Sequence, residues 1–150
     1  MKILVCTDGS EQSLKALKKA VLIAQGCKAN DVAVIHVYDG RQDVSPLMTE
    51  AIKSEKQVDK FLKMVEEHQQ EREKILADAR DIFADKGIKA RFLLKEGHPA
   101  HTIIETACDE GFDMIVLGSR GLGGLKKLFL GSVSNAVVQE AKNCDVLTVK

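Results

Sequence analysis

FDMIVLGSRGLGGLKKLFLGSVSNAVVQEA, residues 112–141, reads as a strand, a glycine-rich loop and a helix in one stretch. Met114 to Leu117 (MIVL) is an unbroken apolar run, the pattern of a strand buried on both faces. Glycines 118, 121, 123, 124 and 131 then interrupt any regular period. Glycine lets a backbone turn tightly and approach a ligand closely. Ser132 is placed to cap a helix with Val133, Ala136 and Val137 on one face. The first amides of a helix have no partner within it. With the helix dipole and the hydroxyls of Ser132 and Ser134, they would make an anion site.

The same alternation runs through the rest of the chain. Residues 2–7 (KILVCT) form a short apolar strand, broken by Asp8-Gly9-Ser10. Ser10 caps the next helix, Glu11 suits its positive end, and Leu14, Leu17, Val21 and Ala24 mark its inner face up to Gly26. Residues 31–38 (DVAVIHVY) are a second buried strand, followed by a polar stretch over residues 39–46. A helical pattern covers residues 48–86, with Val58, Leu62, Val65, Ile75, Ala79, Ile82 and Phe83 inward and Gly87 at its end. Its middle, residues 66–74, is wholly polar, so the N-terminal part reads as a separate helix or an excursion. Connections this long are uncommon without a function. Residues 88–95 (IKARFLLK) alternate partly, like a strand nearer a sheet edge. Pro99 opens a helix with Ile103, Ile104 and Ala107 inward and Gly111 at its close, and residues 145–150 (DVLTVK) make a last strand. Five strands joined by helical crossovers predict a single doubly wound α/β domain over residues 1–150, with helices on both faces of a parallel sheet.

Composition narrows the function classes. The chain has 150 residues, 45% hydrophobic and 29% charged, which suits one globular domain with a real core. Lys+Arg 22 balance Asp+Glu 22, so the electrostatic footprint of a nucleic-acid binder is missing. A small anionic ligand needs only a local site and stays open. The longest apolar run, residues 20–24, falls far short of the ~20 residues that span a bilayer. The apolar stretch 3–6 meets Thr7 and Asp8 at once, unlike a signal peptide. A cytoplasmic protein with no membrane partner is expected. Cysteines 6, 27, 108 and 144 form no CxxC pair and read as buried reduced thiols. His98 and His101 could share a helix face but have no evident partner ligand, so no metal site is expected.

In doubly wound sheets, ligands sit beyond the carboxyl ends of the strands at the topological switch point. Two strand ends here are chemically loaded: Thr7-Asp8-Gly9, and Gly118-Ser119-Arg120-Gly121. A phosphate-binding P-loop counted from Gly118 needs Lys at position 124, which is Gly. A dinucleotide fingerprint counted from Gly121 and Gly123 needs Gly at position 126, which is Lys.

The spacing Gly118-x2-Gly121-x9-Gly131-Ser132, with Asp8 after the first strand, resembles the universal stress protein (UspA-like) family in its ATP-binding branch. KILVCTDGS, HVYD and EGHPAHTIIETA carry the likeness over the whole chain. The family usually has Pro where Asp145 follows Cys144. The resemblance implies strand order 3-2-1-4-5, with Asp8 and Gly118 on adjacent strands. It implies that Asp8 and the backbone around Thr7 and Val37 meet an adenine, that Leu117 packs on the base and that Gly118 lies by the ribose. Ser119, Arg120, Gly121, Gly131, Ser132, Val133 and Ser134 are then expected to meet the phosphates of ATP. Any Mg²⁺ would be held mainly by those phosphates, because no carboxylate or glutamine lies between Gly118 and Ser134. No catalytic residue is therefore expected. The implied function is an ATP-dependent regulatory or stress-response module, able to act through a protein partner. The alternatives are a slow ATPase and a dimerising scaffold that does not use nucleotide. In the implied order the last strand is an edge. Its apolar Val146, Leu147 and Val149 would then favour a homodimer.

Overall fold

Ile3, Leu4 and Val5 are wholly buried, which demands cover on both faces of their strand. The computed structural model, which describes residues 1–41, 55–122 and 130–150, shows what supplies it. Strands β1 (Lys2–Cys6), β2 (Asp31–Tyr38), β3 (Arg91–Glu96), β4 (Met114–Gly118) and β5 (Asp145–Val149) form one parallel sheet in the order β3-β2-β1-β4-β5. Helices α1 (Glu11–Gly26) and α2 (Glu55–Ala84) cover one face, while α3 (Pro99–Asp109) and α4 (Ser132–Glu140) cover the other.

Strand alternation divides the core between these layers. Ile3, Val5, Val34 and Val116 pack with Leu17 and Val21 of α1 and with Leu76, Ala79 and Phe83 of α2. Their sequence neighbours Leu4, Ile35, Ile115 and Leu117 pack with Ile103 of α3 and Val137 of α4. The period of two along each strand is what sends adjacent residues to opposite layers.

Several expected boundaries move. Ser10 does cap α1, its Oγ accepting the Ser13 N–H at 3.2 Å. The cap of α4, however, is Gly131 rather than Ser132, which is the first helical residue. β3 starts at Arg91 rather than residue 88, because the preceding residues finish α2. There the Gly87 N–H donates to Ala84 O, the Ile88 N–H donates to Phe83 O, and Gly87 adopts φ 67°. α2 is one helix straight through residues 66–74. Those residues are polar but nearly all good helix formers, so polarity does not break the helix. Residues 48–54 of the expected helix and 42–46 of the polar stretch lie outside the described residues. Val58 and Leu62, expected inward, are exposed. The cysteines also divide: Cys6 is buried and Cys144 half-buried, whereas Cys27 and Cys108 are exposed. Cys27 lies past the end of α1, and Cys108 lies beside the buried Ala107 on a side of α3 that meets solvent.

Candidate functional site

From the adjacent β1 and β4, the chain proceeds to opposite edges of the sheet, so a crevice opens beyond their carboxyl ends. A cavity of about 860 Å³ occupies this place. Small-molecule sites typically measure ~300–1,000 Å³.

One wall is the end of β1. The Thr7 N–H donates to Ile35 O at 3.0 Å, carrying the β1–β2 ladder one residue past the strand. His36 Nδ1 lies 2.8 Å from the Thr7 carbonyl, and since a carbonyl only accepts, the ring donates there. Asp8 Oδ1 accepts the Ser10 N–H at 3.0 Å, a turn device typical of aspartate. Its Oδ2 accepts the Leu122 N–H at 3.2 Å, from the loop after β4. Burial, reinforced by the Asp8 charge, pushes the Cys6 thiol far above the ordinary range and keeps it un-ionised.

The facing wall is made by the two described ends of the glycine-rich loop. Ser119 anchors both ends of its backbone: its N–H donates to Val149 O at 2.7 Å, and its carbonyl accepts the Gly131 N–H at 2.8 Å. Ser134 Oγ donates to Gly118 O at 2.7 Å. Gly131 has no side chain to cap α4, and the Asn135 N–H donates to its carbonyl at 2.9 Å. The first turn of α4 therefore meets the cavity with its amides uncapped by a side chain, and the dipole adds positive potential there. Beside it, Arg120 Nε is buried without an acceptor among the described residues. An orphaned donor costs free energy unless something fills the place.

The sequence-predicted set converges well. Thr7, Asp8, Val37, Leu117, Gly118, Arg120, Gly121, Gly131, Ser132, Val133 and Ser134 all line the cavity. Ser119 does not: it is 1% exposed, and its place is within the loop's own support. Lys126 and Lys127 lie outside the described residues. His98 also lines the cavity, whereas His101 pairs with Glu105 at 3.0 Å.

One end of the cavity was not anticipated. His68, Glu71, Arg72 and Ile75 of α2 line it. Their spacing of three and four residues places them on one helix face. The sequence pattern puts Ile75 inward, but the polar stretch before it reads only as marking a separate helix or an excursion. The Arg72 guanidinium stacks 3.8 Å from the Tyr38 ring centroid. Nearby, Arg41 donates to Asp39 through Nε and Nη2, and this hydrogen bonding lowers the Asp39 carboxyl to about 2.

The model of the Universal stress protein family matches residues 1–150. Universal stress protein YxiE of Bacillus subtilis is 40% identical over 152 residues, covering 99% of this chain and 98% of that protein. The solved structure of protein MJ0577, from Methanocaldococcus jannaschii, aligns with TM-score 0.74 and 33% identity over 99% of this chain and 94% of that one. A universal stress protein solved in complex with cAMP aligns with TM-score 0.69 and 25% identity over 99% and 95% of the two chains.

Proposed function

This chain belongs to the universal stress protein family, and we propose that it binds ATP in the switch-point cavity and acts as a nucleotide-dependent regulatory module. The observation that carries this reading is the uncapped first turn of α4 opening on the cavity beside the orphaned Arg120 Nε. Amides at a helix N-terminus and a guanidinium N–H are donors suited to phosphate oxygens. A relative solved with cAMP supports an adenine nucleotide as the ligand class.

The residues present fit such a ligand. The amides of residues 131–133, the Ser132 hydroxyl and Arg120 would hold the phosphates. Leu117, Val37 and the backbone at Thr7 offer an apolar and hydrogen-bonding seat for the base. Gly118 would lie by the ribose, with Asp8 between the base and the loop. Mg²⁺ would sit mainly on the phosphates and water, because the stretch from Gly118 to Ser134 supplies no carboxylate.

Binding here serves switching rather than turnover. Fast phosphoryl transfer needs a residue that orients the nucleophile and a cation on the developing charge. Arg120 can supply charge, but the sequence from Gly118 to Ser134 holds no carboxylate or glutamine to position water. Interactions equal in ground and transition states do not speed the chemical step. Nucleotide would instead change shape at the loop, and thereby the choice of a protein partner.

The test is to incubate purified protein with ATP, desalt and denature it, and identify the released small molecule by mass. ATP close to one per chain, with negligible single-turnover hydrolysis, is the expected result. Recovery of no nucleotide would overturn the binding reading. A hydrolysis rate near the ~10 s⁻¹ typical of enzymes would replace the switch with an ATPase.

A further inference from the structure

Asp8 reaches across the cavity mouth. Its Oδ1 belongs to the turn after β1, through the Ser10 N–H, while its Oδ2 takes the Leu122 N–H of the loop after β4 at 3.2 Å. The approach is tight. A Cβ at Gly121 would come within 2.4 Å of Asp8 Oδ2, so any larger residue at 121 would make that carboxylate oxygen shift. Asp8, Arg120, Gly121 and Leu122 all line the same cavity.

An ionised carboxylate is an anion that only accepts hydrogen bonds. A phosphate oxygen asks for the same amide and brings the same sign of charge. The two therefore cannot share the Leu122 N–H, and they repel each other over the short loop. The bond is also solvent-exposed, which keeps it weak enough to exchange. We propose that Asp8 is an internal competitor for anionic ligands: its carboxylate latches the Gly121–Leu122 backbone to the end of β1 in the chain without nucleotide, and a polyphosphate must displace it. Once displaced, the carboxylate regains lone pairs for donors on the same ligand, such as a ribose hydroxyl or an exocyclic amine. Binding and release of the Leu122 amide thus become one event. This deepens the nucleotide reading and rests on it for the ligand, but the latch itself is built from this chain's own residues.

Two experiments separate these parts. The first is amide hydrogen exchange at Leu122, measured by NMR without ligand. Asp8→Ala removes the acceptor, and Gly121→Ala pushes the carboxylate away from the other side. Both should speed exchange at Leu122 several-fold in chains whose circular dichroism is unchanged. Unaltered exchange in a folded variant of either kind overturns the latch. The second is calorimetry with inorganic tripolyphosphate, which has no base or ribose. Asp8→Asn keeps an acceptor but drops the charge, and should bind tripolyphosphate several-fold more tightly than the parent. Equal or weaker binding, or binding by neither protein, overturns the competition. An ATP titration of the parent chain decides the nucleotide reading separately.

Discussion

Gly118 and Gly131 stand at opposite ends of one loop and answer to different constraints. A Cβ at Gly118 would lie 2.8 Å from the Gln12 carbonyl carbon and 2.9 Å from the Ser13 nitrogen, so this glycine lets α1 pack against the end of β4. A Cβ at Gly131 would find its nearest neighbour at 3.4 Å, and the backbone there has φ −69° and ψ 163°, which any residue adopts. Gly118→Ala should thus lower stability by about 1–3 kcal/mol through overpacking. Gly131→Val should cost about 1 kcal/mol, as a poor helix cap. Urea unfolding of the two variants checks the difference. Spacing alone reveals that both positions are glycine. It does not reveal that Gln12 lies against one of them, because that contact is made by the fold. Ser119 shows the same limit. Its place in a serine- and glycine-containing loop suggests a phosphate contact, but its burial and its backbone bonds to Val149 and Gly131 are tertiary facts.

Among the elements, α2 separates what periodicity reports from what it leaves out. A repeat of three and four residues identifies an amphipathic helix and its inner face. It says nothing about how far the underlying sheet extends. Thirty residues of helix run ~45 Å, while the eight residues of β2 span ~26 Å. Only the C-terminal part of α2 therefore finds the sheet: Leu76, Ala79 and Phe83 are buried, whereas Leu62 is 57% exposed despite lying in the same pattern. Phe83→Ala should cost about 3–5 kcal/mol. Leu62→Ala should change stability by less than about 0.5 kcal/mol. Denaturant midpoints measured side by side test this, and comparable losses would mean that the N-terminal part of α2 is packed. The face between these regions, from His68 to Ile75, borders the cavity instead. Polar residues there look like solvated surface in a linear reading, because nothing local distinguishes water from a polar cavity. The strand and helix types were legible from local pattern alone, since each depends on periods of two and 3.6 and on turn residues close by.

For the whole molecule, periodicity predicts a parallel sheet but not the order of its strands, since the right-handed crossover rule admits several orders. The spacing of Gly118, Gly121, Gly131 and Ser132 carried the family likeness, and with it the order that the structure bears out. That order brings Asp8 and Gly118, far apart in the chain, to the two walls of one cavity. It also leaves β5 paired with β4 alone among the described strands, so the outer edge of β5 has no partner strand among the described residues. Val146, Leu147 and Val149 on this edge strand are partly exposed. We expect light scattering at micromolar concentration to give twice the 16.4 kDa chain mass, through pairing of two β5 edges. A monomer would refute that assembly and leave the cavity unaffected. The central claim is that the cavity at the α4 N-terminus binds ATP. Isothermal titration of ATP into the parent chain and Gly131→Val tests it most directly, because the variant is expected to keep its fold while a branched side chain covers the helix N-terminus. The account predicts one ATP per parent chain and at least ~10-fold weaker binding by the variant, a difference of ~1.4 kcal/mol. No saturable binding by the parent, or equal affinity in both proteins, would contradict it.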